Sequence, residues 1–291
     1  MKRSIKSQIL CLDIGASKIF GAVFLGQRMR DTFRLKTPKN KNAFFSILEN
    51  QLPLTIKPGD LAGIGLGLAG IVDAHKGRII RSPHMPFLNG VMITKRLKKR
   101  FRAPTLLEND ARAFTLGEAN EGVGQGHQIV VGVTIGTGIG SGIVINGVLF
   151  QGAHGAAGEA GHMIIETWPN MKEWEEVAAM RFFGSSLRRF KDIPYEMLRS
   201  IDPVLQKKFK KYANFLSLGL TNIIMVIDPD VIVMGGGIGK LHRFYLPYLR
   251  NRVSQLTNSK TAQKTKIMPS LLQDRAIVLG LRHLVQQKFS L

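Results

Sequence analysis

The sequence predicts an α/β protein of two related lobes with a cleft between them, each lobe opening on a glycine-rich hairpin. Three observations carry this expectation. Residues 8–24 and 131–145 both read as strand, tight turn, strand. Laying Leu12–Phe24 over Val133–Ile145 pairs Ile14 with Ile135, Gly15 with Gly136, Gly21 with Gly142 and Val23 with Val144. A unit that recurs once per half of the chain marks a duplicated architecture. The 31 glycines also cluster instead of scattering, which points to sites built from backbone.

The elements follow in order. Ile9–Leu12 and Ile19–Phe24 flank the turn Asp13–Lys18. Leu61–Gly70 reads as a buried strand running into a glycine turn, and Val91–Phe101 as a basic helix. Pro104–Glu108 is a short strand ending at Asn109 and Asp110, and Ala111–Asn120 is helical with one of those two residues near its N-terminus. From Gln128 to Gly158 there is no Asp, Glu, Lys or Arg. This stretch is too glycine-rich and too polar for a membrane-spanning helix, so it reads as buried strands and turns. Trp174–Arg189 and Val204–Ile227 have helical spacing, the second stopping at Asp228-Pro229. Strand Val231–Met234 leads into Gly235-Gly236-Gly237 and a helix through Lys240–Arg252. A last helix over Asp274–Lys288 is expected to pack back on the first lobe. The expected lobes are residues 1–112 with 275–291, and 113–274.

At 291 residues, 44% apolar and 21% charged, the chain has the make-up of an ordinary globular protein with a sizeable core. Its one cysteine, Cys11, excludes an internal disulfide framework and a zinc site of several thiolates. Cys11 sits between Leu10 and Leu12 and is expected in the core. The basic start is followed by an apolar run that Asp13 and Lys18 interrupt, so no signal peptide or membrane segment is read and a cytoplasmic location is expected. The net charge of +21 is densest at Lys95–Arg102 and Lys207–Lys211. Solvated helix faces are the plainer reading, and a polyanion partner the sharper one. Neither run carries a groove-reading motif, so nucleic acid is not expected, while polyphosphate stays open.

Phosphoryl transfer asks a protein to hold phosphates, offset their charge and align the acceptor hydroxyl. Two glycine hairpins suit the first task, because backbone N–H groups there approach phosphate oxygens closely. Asp13 can hold hydrated Mg²⁺, Ser17 and Thr137 offer hydroxyls, and Lys18 offers a charge. Either turn alone is more often a packing device than a phosphate cradle, and finding both at matched places in a duplicated architecture reverses that balance. Asp110 follows a strand at the carboxyl end of a sheet, where ligands gather, and can accept a proton from a sugar hydroxyl that Asn109 orients. Both residues could equally serve as helix caps. Glu159 and His162 flank small residues beside the second hairpin, an arrangement that can grip vicinal hydroxyls.

These motifs, in this order, resemble the ROK sugar kinases (repressor, open reading frame, kinase) along nearly the whole chain. Asp13-Ile14-Gly15-Ala16-Ser17-Lys18 is similar to the family's first phosphate motif, and Gly65–Asp73 to its sugar-side loop. Leu107–Ala111 is similar to the catalytic segment, Gly136–Gly142 to the second phosphate motif, Ala157–Met163 to the sugar-binding signature, and Met234–Gly237 to the nucleotide motif. The resemblance implies an actin- and hexokinase-like (ribonuclease H-like) fold and a homodimer. It implies an ATP- and Mg²⁺-dependent hexokinase of glucokinase type. Asp110 is then the general base. Asn109, Glu159, His162 and Glu175 bind the hexose, and Asp13, Gly15, Ser17, Lys18, Gly136, Thr137, Gly138, Gly235, Gly236 and Gly237 serve the nucleotide. A polyphosphate-dependent glucokinase and a sugar-sensing protein without catalysis are the alternatives.

Three departures from the family pattern matter. The family usually places three zinc-binding cysteines just after the histidine matched by His162, itself a ligand. Met163–Trp174 holds no cysteine, so zinc is not expected and His162 must be held another way. The glutamate that follows those cysteines is matched by Glu175, with Glu173 and Glu176 as rivals. Ala16 and Ser17 stand where glycine and threonine are usual. No helix-turn-helix precedes the first phosphate motif, so a repressor is not expected.

Overall fold

A computed structural model describes residues 8–50, 52, 56, 59–184 and 203–291. The described chain divides into two compact units. The first comprises residues up to Glu121, Ala153–Gly155 and Asp274–Leu291; the second comprises Gly122–Gly152 and Ala156–Gln273.

In the first unit, β1 (Gln8–Ile14), β2 (Lys18–Leu25) and β3 (Arg28–Lys36) form an antiparallel meander. After α1 (Lys41–Asn50), β4 (Leu61–Leu68) adds parallel to β1. A small hairpin, β5 (Ile71–Asp73) and β6 (Arg78–Arg81), and helix α2 (Ile93–Phe101) precede β7 (Thr105–Asn109), which adds parallel to β4. The sheet order is β3-β2-β1-β4-β7. Strand β4 is buried along its whole length, which explains its unbroken apolar and glycine sequence. Helix α2 buries Ile93, Leu97 and Phe101 and turns its lysines and arginines to solvent, so its charge run is a solvated face.

Helix α3 (Asp110–Glu121) packs on the closing helix α8 (Ala276–Phe289), which also covers β4. The crossing needs bare backbone. A Cβ on Gly117 would overlap the Ala276 carbonyl, and one on Gly280 the Ala113 carbonyl. This contact holds all of α3 in the first unit, past the sequence-based boundary at residue 112. The core gathers Leu10, Leu12, Ile14, Phe44, Phe45, Leu66 and Leu107. Cys11 is also fully buried, and burial drives its thiol pKa far above the ordinary range.

The second unit repeats the plan. Strands β8 (Ile129–Ile135), β9 (Ile139–Ile145) and β10 (Val148–Leu149) form the meander. The pair β11 (Ile164–Glu166) and β12 (Lys172–Glu173) leads to the short helix α4 (Trp174–Ala178). Then follow α5 (Pro203–Ile227), β13 (Val231–Gly235), α6 (Gly236–Gly239), α7 (His242–Leu256) and β14 (Lys266–Pro269). The order β10-β9-β8-β13-β14 matches that of the first sheet strand for strand, with β13 parallel to both β8 and β14. The duplication read from the two hairpins thus extends to whole sheets, and the charge-poor stretch after Gln128 is the β8–β9 hairpin and its surroundings.

The helix expected over Trp174–Arg189 is a correction. It stops at Ala178, because Ala179 is extended and the next amide, Met180 N–H, donates to the Gly136 carbonyl at 2.9 Å. A 3-10 turn over Met180–Phe183 follows, and the end of the expected span lies outside the described residues. The helix expected over Lys240–Arg252 is α7, which starts at His242 and runs on to Leu256; the short α6 precedes it on the glycines. Trp174 is fully buried, donates Nε1–H to the Phe215 carbonyl at 3.2 Å and rests on Gly219. No described helix is long and apolar enough to cross a membrane.

Candidate active site

In the first unit the register of the parallel strands positions the acidic residues. Asp13 lies opposite Gly67, which lies opposite Glu108, and Ile14, Leu68 and Asn109 form the next row. The carboxyl ends of β1, β4 and β7 are therefore level, and two inter-strand steps put β1 and β7 about 10 Å apart. The Asp13 turn and the Asn109-Asp110 pair leave the sheet along this one edge.

The turn is tight. Gly15 N–H donates to the Lys18 carbonyl at 3.0 Å. Thr37 braces it from β3's exit, with Oγ1 donating to Gly15 O at 2.7 Å and N–H donating to Ser17 O at 3.1 Å. Ser17 and Lys18 are exposed at the tip. The Lys18 ammonium lies 3.4 Å from the Asp274 carboxylate, which also has Arg34 at 3.6 Å. Burial raises the Asp13 carboxyl to about 7; the Asp110 charge pushes the same way, Lys18 opposes it, and Asp274 adds to it. Near neutrality the Asp13 carboxyl therefore holds a proton more readily than an ordinary carboxylate.

Asn109 closes β7 and Asp110 opens α3. The Asn109 Oδ1 accepts Arg112 N–H at 3.1 Å, and its Nδ2 donates to Gly70 O at 3.1 Å. Asn109 is therefore a helix cap as well as a candidate ligand; its second amide hydrogen remains for a hydroxyl. Asp110 Oδ1 accepts the next amide, Ala111 N–H, at 2.9 Å. Behind them lies a pair that sequence reasoning missed. The side chains of Glu108 and Arg112 are 3% and 5% exposed and 3.7 Å apart. Glu108 Oε1 accepts Asn109 N–H at 2.8 Å, and Arg112 Nη2 donates to Gly155 O at 2.6 Å. Their four-residue spacing was the available signal.

In the second unit, Gly136 N–H donates to Gly138 O at 2.9 Å, closing the turn with Thr137 exposed at its tip. Glu175 is tied to this turn: its Oε2 accepts Ile139 N–H at 3.2 Å, and a Cβ on Gly138 would overlap that carboxylate. Gly235 ends β13 opposite Thr134, and Gly236 has φ +80°. A Cβ there would meet Ile135 O at 2.5 Å, so Gly235, Gly236 and Gly237 sit against the same turn.

The Gly158–His162 segment is fastened to β9. Ser141 Oγ donates to Gly158 O at 2.5 Å and accepts Ala160 N–H at 3.4 Å. Glu159 and His162 face solvent. His162 Nδ1 is 2.8 Å from Glu173 Oε2, and this bond raises the imidazole pKa; partial burial opposes it, while the charges of Glu173, Glu175 and Glu159 reinforce it. Glu173 is also the N-cap of α4. Its carboxylate accepts Glu176 N–H, and Glu176 Oε2 accepts Glu173 N–H at 2.8 Å.

The structure thus gathers Asp13, Gly15, Ser17, Lys18, Asn109 and Asp110 at one edge of the first unit. In the second it gathers Gly136, Thr137, Gly138, Glu159, His162, Glu175 and Gly235–Gly237 around the β8–β9 turn. The three rival glutamates differ in geometry: Glu175 meets the turn, Glu173 meets His162 and caps α4, and Glu176 accepts the Glu173 amide.

Structural zinc takes four ligands, chiefly thiolate and imidazole. Here His162, Glu173 and Glu175 bring one ring nitrogen and two carboxylate oxygens within 4.8 Å of one another, a trio able to approach a cation. Yet thiolates are missing from the segment, and each member already holds a protein partner. The donor set does not fit the family's zinc.

The family model described as ROK matches residues 9–288. An N-acetylgalactosamine kinase, AgaK, of Shewanella sp. strain ANA-3 is 32% identical over 253 residues, 79% of this chain and 82% of its own. A xylose repressor of Bacillus subtilis is 28% identical over 243 residues, 80% of this chain but 63% of its own length. Among solved structures, a ROK glucokinase from Streptomyces griseus in complex with glucose and AMPPNP superposes with a TM-score of 0.81 at 25% identity, over 96% of this chain and 99% of that one.

Proposed function

The chain belongs to the ROK family, and from that premise we propose that it transfers the terminal phosphoryl group of ATP to a hexose, with glucose at its 6-hydroxyl as the first candidate. The observation that carries this reading is the level edge of β1, β4 and β7. It sets Asp13 with its turn, and Asn109 with Asp110, along one rim of a sheet. A phosphate cradle and a carboxylate base are the two parts that phosphoryl transfer needs on one scaffold.

In this mechanism Asp110 accepts the proton of the attacking hydroxyl as that oxygen bonds to the γ-phosphorus and the bond to the leaving ADP oxygen breaks. The Asp110 proton then passes to water. Asn109, Glu159, His162 and Glu175 hold the other hydroxyls of the sugar. The backbone N–H groups of the two turns, with Ser17, Thr137 and Lys18, hold phosphate oxygens, and Gly235–Gly237 face the nucleotide. Mg²⁺ bound to Asp13 through water would offset phosphate charge.

The Asp110→Asn variant tests this. Turnover is expected to fall by about two to four powers of ten with sugar affinity much less changed. Near-normal turnover would remove Asp110 as the base. The +21 charge favours one second reading, in which polyphosphate is the donor; initial rates with each donor separate the two. The likeness to a repressor favours a sugar sensor, which would bind hexose in calorimetry and release no ADP.

A further inference from the structure

The geometry points to Glu173 as a positioning residue for sugar recognition, holding the His162 ring by a hydrogen bond where the family pattern calls for a metal. This inference rests on the reading of His162 as a hexose ligand.

His162 ends a 3-10 turn, Ala160–His162, and is 52% exposed at its side chain. A free imidazole there would rotate about both side-chain torsions. Two links restrain it. Gly161 lies against the Ile139 carbonyl so closely that any Cβ would overlap it, which fixes the backbone before the ring. The Nδ1···Oε2 bond of 2.8 Å to Glu173 then fixes the ring itself. Nδ1 and Nε2 flank Cε1 and point outward in divergent directions, so engaging Nδ1 leaves Nε2 directed away from Glu173 and able to meet a hydroxyl.

Glu173 is a firm anchor because it is itself held. It pairs with Ile164 across β11–β12, accepts Glu176 N–H through its carboxylate, and gives its own N–H to Glu176 Oε2. The next amide, Trp174 N–H, donates to Met163 O at 2.8 Å, and the Trp174 indole is fully buried. The chain therefore runs from the core of the unit through α4 to Glu173 and on to the ring. A zinc ion would cross-link the same two segments; here a carboxylate does so with one bond. The groups facing the ring besides Glu173 are Glu175 and Glu159.

The test compares Glu173→Ala, Glu173→Gln and Glu173→Ser, alone and with His162→Ala, in steady-state kinetics and in hexose calorimetry without nucleotide. An amide oxygen still accepts from Nδ1–H, whereas serine keeps the helix cap but cannot reach the ring. Glu173→Ala and Glu173→Ser are expected to weaken hexose binding about tenfold, leaving the KM for ATP unchanged, and Glu173→Gln to stay within about threefold. In the His162→Ala background the Glu173 substitutions are expected to add nothing further. Additive losses in that background, or wild-type behaviour of Glu173→Ser, would overturn the assignment. So would stoichiometric zinc in the purified protein whose chelation reproduces Glu173→Ala. A wild-type protein that binds hexose without turnover sinks the kinase reading alone, since the coupling is still read by calorimetry. One that binds no hexose sinks both.

Discussion

Replacing Asp13 by asparagine separates what this residue costs the fold from what it contributes to the reaction. Burial, reinforced by the charges of Asp110 and Asp274, holds the folded carboxyl near 7 against an ordinary 3.8. The sign follows from which state binds the proton more tightly. Below 3.8 both states are protonated and the residue is neutral to stability. Between 3.8 and about 7 the unfolded chain ionises while the folded one keeps its proton, so stability falls as pH rises, and above 7 the loss is complete. At about 1.4 kcal/mol per pH unit, the full span is on the order of 4 kcal/mol. Asp13 keeps some access to water, so this is a ceiling. Asparagine is neutral throughout. Asp13→Asn should therefore gain little over wild type at pH 4 and most at pH 8, the advantage widening by roughly 2 kcal/mol between pH 5 and pH 8. Thermal unfolding followed by circular dichroism, without Mg²⁺ or nucleotide, should show a midpoint gain about 4 °C larger at pH 8 than at pH 5. The same variant should lose turnover. An equal midpoint shift at both pH values would refute the reasoning, because a pH-independent gain cannot come from a titrating carboxylate.

Two further substitutions probe the second unit. Gly138→Ala places a methyl group where the Glu175 carboxylate lies, so that side chain should swing off Ile139 N–H. Steady-state kinetics should show the KM for hexose rising about tenfold while stability changes by less than about 2 kcal/mol, the range expected when a charge-assisted bond is lost at a flexible side chain. An unchanged KM would detach Glu175 from sugar binding. Gly219→Ala puts a Cβ into the buried Trp174 indole, and overpacking of this kind costs about 1–3 kcal/mol. Both tryptophans, Trp168 and Trp174, lie in this unit, so urea unfolding followed by tryptophan fluorescence reports it, and a wild-type midpoint would show the indole is not packed there.

Much of the site was legible because its signals are local. A hairpin turn must place glycine where backbone closes on backbone, so Gly15 and Gly136 announce their turns within a few residues of sequence. A carboxylate at the end of a strand, as in Asn109-Asp110, is visible for the same reason. The Glu108–Arg112 pair showed only as a four-residue spacing, which surface helices also display. Nothing local said that it would be buried and would reach Gly155.

Taken alone, the chain's letters determined the duplicated hairpins, the order of the motifs and the alternation of strand and helix, since each depends on side chains a few positions apart. Tertiary structure decided the partners. Lys18 shares Asp274 with Arg34, Met180 leaves its helix for the Gly136 carbonyl, Glu175 reaches under the β8–β9 turn, and Glu173 grips His162. A hydrogen bond or ion pair is specified by distance and direction in space, and residues far apart along the chain acquire those only once the sheets and helices have packed.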